Sequence, residues 1–264
     1  MSVLTSLSNP KVKEAVKLRS NPCRRQPRRF LIDGQREILR AVQSGISIVE
    51  IFTVLPPQEF GKFTISGTAV YQVTAPVLNK IAFGERNEGI VAVAEEPDCS
   101  LELFETKIAA AVSPLLAVIE KPEKPGNIGA VFRSADGAGV CGIMLADTRV
   151  HPFHANAIRS SMGTVFHVPV VSRSAADVKR WLQDRHIQIA AAWCSGTAVK
   201  YTEVDFRKPT AVVLGNEAEG LSPLWGENDV IKVTLPMSGI ADSLNVSAAA
   251  GILFYEAQRQ RSLR

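Results

Sequence analysis

The sequence predicts a two-domain α/β protein with a parallel sheet in its C-terminal part. Its 264 residues exceed the usual length of one domain, so a second domain or a substantial appendage is expected. From about residue 115 onward, short apolar runs alternate with amphipathic stretches, as in buried parallel strands joined by helices. Residues 95–100 hold a proline and three acidic side chains and predict the linker. We therefore expect one domain over residues 1–98 and another over residues 99–264.

The first hundred residues predict a small α/β domain. Turn signals such as Pro56-Pro57 separate runs of different hydrophobic periodicity. Helices are expected at residues 11–19, 35–44 and 76–82, and strands at residues 29–32, 48–54, around Phe63, 69–73 and 89–94. Residues 101–111 then predict a connecting helix.

The C-terminal part predicts six buried strands and four helices. The strands are expected at residues 115–119, 142–145, 165–171, 187–192, 210–214 and 230–235. The helices are expected at residues 128–138, 155–161, 175–185 and 244–259. Glycine turns at residues 125–127 and 215–217 follow two of the strands, which is where open α/β sheets bind ligands.

Composition describes an ordinary soluble protein, with 46% hydrophobic and 21% charged residues. Residues 1–10 lack the pattern of a secretion signal and no apolar run reaches the length of a membrane span, so a cytoplasmic protein without a membrane partner is expected. Four cysteines occur without C-x-x-C spacing, which is typical of thiols in a reducing compartment. His151 and His154 lack a third ligand nearby, so no metal site is predicted.

Basic residues are concentrated near the N-terminus. Residues 1–40 hold ten Lys/Arg against three Asp/Glu, a charge of +7, whereas the whole chain carries +4. Such a cluster attracts a polyanion like RNA, because each phosphate that it neutralises releases counterions. A solvated basic face without a partner is equally compatible with the charge alone.

The usual nucleotide-binding fingerprints are missing. Neither a P-loop nor a G-x-G-x-x-G turn after the first strand occurs. Residues 137–142 match G-x-G-x-x-G by spacing, but they precede a predicted strand and indicate the end of a helix. These absences weigh against a dinucleotide-dependent oxidoreductase and a P-loop enzyme.

Three other segments carry a more specific pattern. Residues 127–135 read NIGAVFRSA, residues 213–221 read VLGNEAEGL, and residues 235–247 read LPMSGIADSLNVS. In order and spacing they resemble the N-x-G-x-x-x-R, G-x-E-x-x-G-[LM] and I-P-M…S-L-N-V-S motifs of the SpoU/TrmH family of SPOUT methyltransferases. Leu235 replaces a frequent isoleucine and Asn216 a frequent serine. Each motif alone is weak, but the joint occurrence is specific.

The resemblance implies a C-terminal SPOUT domain with a deep trefoil knot and a small N-terminal α/β domain like a ribosomal protein, which binds the substrate. It implies a homodimer that transfers a methyl group from S-adenosylmethionine to a ribose 2′-hydroxyl. Ribosomal RNA is favoured over transfer RNA, because the N-terminal domain typifies the ribosomal branch. A transfer RNA methyltransferase and a non-catalytic RNA-binding assembly factor remain alternatives.

Arg133 is the expected catalytic residue. If Asn127 caps the helix, Arg133 lies about one and two-thirds turns further on. A guanidinium stays protonated in proteins, so we expect it to stabilise the developing alkoxide or a phosphate, although the family proposal of a general base remains open. Without the other motifs, a surface helix arginine would be the favoured interpretation of Arg133.

The resemblance also assigns the remaining site residues. Catalytic or positioning roles fall to Asn127, Glu217, Ser243 and Asn245, and Ser243 is also a candidate helix N-cap. Cofactor contacts fall to Leu214, Gly215, Gly220, Leu235, Leu244 and Asn245. Candidate RNA contacts are Arg24, Arg25, Arg28, Arg29 and Arg159, of which Arg159 could equally be a solvated helix end.

Overall fold

The computed structural model describes residues 3–19, 28–84, 88–194, 196 and 198–262. The chain divides into two compact units. The first comprises Met1–Asp98 with His151–His167, and the second comprises Cys99–Val150 with Val168–Arg264. The segment His151–His167, which the sequence analysis placed in the C-terminal domain, therefore packs with the N-terminal residues.

Helices and strands alternate along the described chain as far as the eighth strand, and the last four strands then follow one another before the last helix. The helices are α1 Pro10–Lys17, α2 Gln35–Gln43, α3 Pro57–Phe60, α4 Ala75–Ile81, α5 Leu101–Ile108, α6 Pro125–Ala138, α7 Ala155–Ser160, α8 Ala175–Asp184 and α9 Val246–Ser262. The strands are β1 Arg29–Asp33, β2 Ile48–Thr53, β3 Ala69–Gln72, β4 Ile90–Glu95, β5 Leu115–Glu120, β6 Gly142–Ala146, β7 Val170–Arg173, β8 Gln188–Ala192, β9 Val199–Lys200, β10 Thr210–Leu214 and β11 Ile231–Thr234. Among these described helices, none is long and apolar enough to cross a membrane.

The first unit holds a four-stranded sheet in the order β1-β4-β2-β3. β4 runs antiparallel to β1 and β2, and β3 runs parallel to β2. The strand predicted around Phe63 is wrong, because Gly61–Phe63 forms a 3-10 turn that continues α3. Pro57 starts this helical stretch, and the turn carries the Phe63 ring into the core, where it is fully buried.

An aromatic stack fixes the segment His151–His167 in the first unit. Phe153 stacks on Phe30 with ring centroids 4.9 Å apart, and Phe166 lies 5.9 Å from Phe153. The strand predicted from residue 165 begins only at Val170, because residues 164–166 form a 3-10 turn after the left-handed residue Gly163. That turn lets Phe166 join the stack, so aromatic packing outweighs the strand pattern.

Asp33 is a half-buried carboxylate at the end of β1. It accepts a hydrogen bond from the backbone N–H of Phe83 at 2.7 Å. Burial raises the pKa of Asp33 to about 6, and the negative charges of Glu88 and Glu37 add to the rise. The hydrogen bond from Phe83 and the positive charge of Arg159 oppose it. Between pH 4 and 6 the folded protein therefore binds a proton that the unfolded chain does not.

The free energy of unfolding should consequently fall as pH rises from 4 to 7, by on the order of 2 kcal/mol from this group after allowance for solvent screening. Asp33→Asn retains the acceptor for Phe83 and removes the titration, so the variant should be the more stable protein at pH 8. Urea unfolding of both proteins at several pH values measures the difference. Parallel stability curves from pH 4 to pH 8 would contradict the assignment.

The second unit is built on a seven-stranded sheet in the order β7-β6-β5-β10-β8-β11-β9. All its strand pairs are parallel. The prediction of an α/β fold with a parallel sheet is confirmed. β9 was not predicted, because its two residues are exposed and leave no apolar run in the sequence.

Apolar side chains on both faces of this sheet explain why the strands read as continuous hydrophobic runs. One core cluster surrounds Trp225, with Phe104, Trp181 and Leu182 among its members. The last helix, α9, packs against α6 and against β10. Tyr255 of α9 lies so close to α6 that a Cβ at Gly137 would stand 2.8 Å from its hydroxyl.

Candidate functional site

The first two motif segments follow neighbouring strands of the second unit. β5 precedes the turn into α6, and β10 precedes the loop that starts at Gly215. β5 and β10 are paired in parallel, with Leu214 opposite Ile119, so both segments leave the same edge of the sheet. Ligands of open α/β sheets bind at this carboxyl edge.

A line of hydrogen bonds joins all three motifs. Asn127 donates through Nδ2 to Glu217 Oε1 at 2.5 Å, since an ionised carboxylate can only accept. The side-chain oxygen Oδ1 of Asn127 then accepts from Asn245 Nδ2 at 3.4 Å. The second Glu217 oxygen is buried and has no hydrogen-bond partner within the described chain. The structure thus brings together three of the predicted residues, and the orphaned oxygen marks a position that a ligand could satisfy.

Asn127 does not cap its helix as expected. α6 begins at Pro125, with Lys124 in the cap position and no side-chain capping bond, so Asn127 lies inside the first turn. Proline favours the first helical position, and this signal could have located the start. Arg133 still follows Asn127 by about one and two-thirds turns of one helix. Its side chain is exposed and makes no hydrogen bond or ion pair with the described residues.

The loop after β10 folds back on itself. Asn216 and Gly220 exchange backbone hydrogen bonds, each at 3.0 Å, and Gly220 has φ +71°. Gly215 packs so tightly beneath them that an added Cβ would stand 2.5 Å from the Gly220 carbonyl carbon. Asn216 Oδ1 also accepts from the backbone N–H of Ala218 at 2.7 Å. Both predicted glycines are therefore required by backbone geometry.

Two hydrogen-bonded clamps tie this loop to the end of β5. Asn216 Nδ2 donates to the Lys121 carbonyl at 2.9 Å. Glu120 is buried and accepts from both the backbone N–H and the hydroxyl of Ser222, at 2.8 Å and 2.6 Å. Neither Glu120 nor Ser222 was predicted from the sequence. A carboxylate at the end of an otherwise apolar strand was the available signal, because a buried charge needs dedicated partners.

The third motif forms an exposed segment over residues 236–245. Asn245, and not Ser243, caps α9, because Asn245 Oδ1 accepts from the backbone N–H of Ser247 at 3.0 Å. The helix accordingly starts at Val246 and not at Leu244. Leu235 is half-buried just after β11, while Leu244 is 39% exposed and Ser243 is exposed.

The predicted RNA contacts are partly engaged inside the protein. Arg24 and Arg25 lie outside the described residues. Arg28 pairs with Glu96 at 2.5 Å and Arg29 with Glu95 at 3.6 Å. Arg159 donates to the Phe83 carbonyl at 2.5 Å and is half-buried, so it holds a loop of the first unit and is not a solvated helix end.

His151 and His154, the pair considered for a metal site, have other partners. His151 contacts Glu96 at 3.0 Å, and His154 Nδ1 accepts from the backbone N–H of Asn156. Within the described ranges, no three histidine, cysteine or carboxylate side chains are placed to hold a metal ion.

Comparison with known proteins agrees with the motif pattern. The SpoU rRNA Methylase family profile matches residues 114–255, and the profile of the MRM3-like substrate binding domain matches residues 9–92. The chain is 30% identical to the 23S rRNA (guanosine(2553)-2'-O)-methyltransferase RlmP of Bacillus subtilis, over 97% of this chain and 98% of that protein.

Solved structures give the same answer. The chain is similar to the crystal structure of an RNA 2'-O ribose methyltransferase, with a TM-score of 0.85, 36% identity and coverage of 99% of this chain and 100% of that one. It is also similar to an AdoMet-bound rRNA methyltransferase from Sinorhizobium meliloti, with a TM-score of 0.86, 29% identity and coverage of 98% and 97%. These matches confirm the resemblance. The chain belongs to the SpoU rRNA methylase family.

Proposed function

We propose that this chain transfers the methyl group of S-adenosylmethionine to a ribose 2′-hydroxyl of 23S ribosomal RNA. The observation that carries the proposal is the hydrogen-bonded set Asn127, Glu217 and Asn245, which joins the three family motifs at one carboxyl edge of the sheet. The similarity to the 23S rRNA methyltransferase of Bacillus subtilis supports ribosomal over transfer RNA.

The residues at this edge suit S-adenosylmethionine. The 218–220 turn and residues 236–245 are exposed, so their backbone groups are available to an adenine, and the exposed side chains of Met237 and Leu244 offer apolar cover. The residues that we assign to the cofactor are Leu214 through its backbone, Gly215, Gly220, Leu235, Leu244 and Asn245. When bound, the cofactor supplies an electrophilic methyl group.

The protein's own contribution is positioning and charge. The exposed guanidinium of Arg133 has the charge to stabilise an alkoxide as the ribose hydroxyl releases its proton to solvent water. Glu217 fixes the Asn127 amide, which in turn orients Asn245 at the start of α9. Ser243, exposed two residues earlier, is available to the target nucleotide.

The hydrogen bonds between Glu120 and Ser222 should hold the loop after β10, which starts at Gly215, in the conformation that binds the cofactor. Ser222→Ala removes a charge-assisted hydrogen bond of roughly 1.5–3 kcal/mol, and we expect about tenfold weaker binding of S-adenosylmethionine with unchanged affinity for RNA. Ser222→Thr retains the hydroxyl and is the matched control. Calorimetric titration with the cofactor compares the three proteins, and equal affinities for the alanine and threonine variants would contradict this role.

We further propose that residues 1–98 form the RNA-binding domain and residues 99–264 the methyltransferase domain. The match of residues 9–92 to a substrate-binding family supports this division. Deleting the first domain should therefore cost RNA affinity more than cofactor affinity. Equal losses of both affinities would contradict the division.

The resemblance implies a homodimer, and exposed apolar side chains support it. They cluster in sequence on the third motif and the following helix: Met237, Ile240, Leu244, Ile252 and Tyr255. Large apolar side chains grouped on a surface favour burial in an interface. We expect activity to require the dimer, and a fully active monomer in sedimentation equilibrium would contradict this.

The trefoil knot is likewise a proposal. β11 lies beyond β8 in the sheet, yet the next helix, α9, returns to pack on α6 and β10. A chain that returns in this way can pass through the loop between β10 and β11. An experimental trace with α9 outside that loop would contradict the knot.

Incubation with labelled S-adenosylmethionine and unmodified ribosomal or transfer RNA tests the function. We expect label in ribosomal RNA alone, recovered as a 2′-O-methylnucleoside after digestion. Label in transfer RNA would establish the alternative substrate. Binding of RNA without methyl transfer to either pool would favour a non-catalytic assembly factor.

A further inference from the structure

Four cations of the first unit lie on or beside two of its helices and have no acidic partner among the described residues. They are Lys13 and Lys17 of α1, Arg19 just after it, and Lys80 of α4, and we call them the α1–α4 basic face. Three are exposed and Arg19 is half-buried. None of the four forms an ion pair with a described residue.

Most other basic side chains of this unit are already neutralised or anchored. The pairs are Lys11 with Glu50, Arg28 with Glu96, Arg29 with Glu95 and Arg36 with Glu37, while Arg40 and Arg159 donate to the carbonyls of Met162 and Phe83. A cation that already holds a carboxylate contributes little net charge to a polyanion. Among the described residues of 1–40, Lys13, Lys17 and Arg19 therefore hold most of the positive charge that no carboxylate neutralises, and Lys80 adds to it.

Packing holds these cations in a fixed arrangement. Lys13 and Lys17 are four residues apart and so lie on the same side of α1, which is anchored through the buried Val12 and Ala15. The two helices are joined at their ends, because Arg19 donates to the Lys80 carbonyl at 3.1 Å. Lys80 in turn donates to the Leu7 carbonyl at 3.2 Å.

The side chains retain spare donors for a ligand. An arginine has five N–H donors and a lysine has three, so the single bonds of Arg19 and Lys80 to carbonyls leave most of them available. The ammonium groups of Lys13 and Lys17 make no hydrogen bond to described residues. Glu14, exposed on the same helix, is the one carboxylate of α1 and interacts with Lys11.

We infer that the α1–α4 basic face binds the phosphate backbone of the RNA substrate. The inference rests on the proposed function and assigns substrate docking to residues other than Arg28 and Arg29. Such contacts fix the position of the protein on RNA but do not read base sequence. They therefore provide affinity for RNA and fix where the protein lies along it. Other contacts must distinguish the target nucleotide.

The salt dependence of RNA binding tests this inference. With a 23S rRNA transcript as probe, Lys13→Ala/Lys17→Ala should bind on the order of tenfold more weakly at 0.1 M KCl. The slope of log Kd against log salt should fall by about 1.4–1.8, which corresponds to two phosphate contacts. Affinity for S-adenosylmethionine should remain unchanged, and the circular dichroism spectrum and urea unfolding curve should match the wild type, which a folding defect of the first unit would not allow.

Two double variants serve as controls. Lys13→Arg/Lys17→Arg keeps the charge and should retain the wild-type slope. Lys62→Ala/Lys107→Ala removes two exposed lysines elsewhere and should alter the slope far less. Methyl transfer to ribosomal RNA with an unchanged slope in Lys13→Ala/Lys17→Ala would overturn the inference alone. Wild-type protein that binds no RNA would overturn both the inference and the proposed function.

Discussion

Arg133→Ala should lower kcat by roughly a hundredfold to a thousandfold, the effect of removing one preorganised donor from a developing oxyanion. The side chain is exposed and bonds to no described residue, so the loss should come from the transition state and not from folding. The melting temperature and the affinity for S-adenosylmethionine should therefore match the wild type. Single-turnover methyl transfer to ribosomal RNA measures the rate.

Arg133→Lys separates charge from geometry. Lysine keeps the positive charge but lacks the planar fork of a guanidinium, so we expect intermediate activity. If Arg133 acted as a general base, lysine, whose amine deprotonates more readily, should be the better catalyst at high pH. Wild-type kcat in Arg133→Ala would show that Arg133 is not a catalytic residue.

The second large effect is expected at Gly215. An alanine there would place its Cβ 2.5 Å from the Gly220 carbonyl carbon and 2.6 Å from the Leu221 nitrogen, and both are backbone atoms. The loop must open to relieve the clash. We expect cofactor binding to weaken by more than about tenfold and unfolding stability to fall by about 1–3 kcal/mol.

Gly61→Ala is the matched control, because nothing lies within 4 Å of the added Cβ and no positive φ is involved. Calorimetric titration with S-adenosylmethionine and urea unfolding report the two effects separately. Wild-type cofactor affinity in Gly215→Ala would show that the folded-back loop is not needed for binding.

Hydrophobic patterning predicted most of the second unit, because its strands are buried on both faces. The strand predicted at residues 115–119 is observed as Leu115–Glu120, and that at residues 210–214 is observed unchanged. The failures around Phe63 and Phe166 share a cause. In each case a short 3-10 turn carries an aromatic ring into the core, and a local apolar run cannot distinguish this from a strand.

The residues of the candidate site that belong to the family motifs were predictable from the sequence. Asn127, Glu217 and Asn245 are far apart in sequence, and the family motifs assigned them to one site. In the structure they are joined by hydrogen bonds. The choice of helix cap was not predictable, since Ser243 and Asn245 are both strong capping residues. The partnership of Glu120 with Ser222 spans 102 residues and depends on tertiary packing alone.

Partial alkaline hydrolysis of 23S ribosomal RNA tests the central claim most directly. The RNA is incubated with the protein and S-adenosylmethionine before cleavage, which needs a free 2′-hydroxyl at each phosphodiester. We predict one gap in the ladder that is absent with Arg133→Ala, because a methylated ribose cannot support cleavage. Incorporation of the methyl group with an unbroken ladder would locate it on a base and contradict ribose 2′-O-methylation.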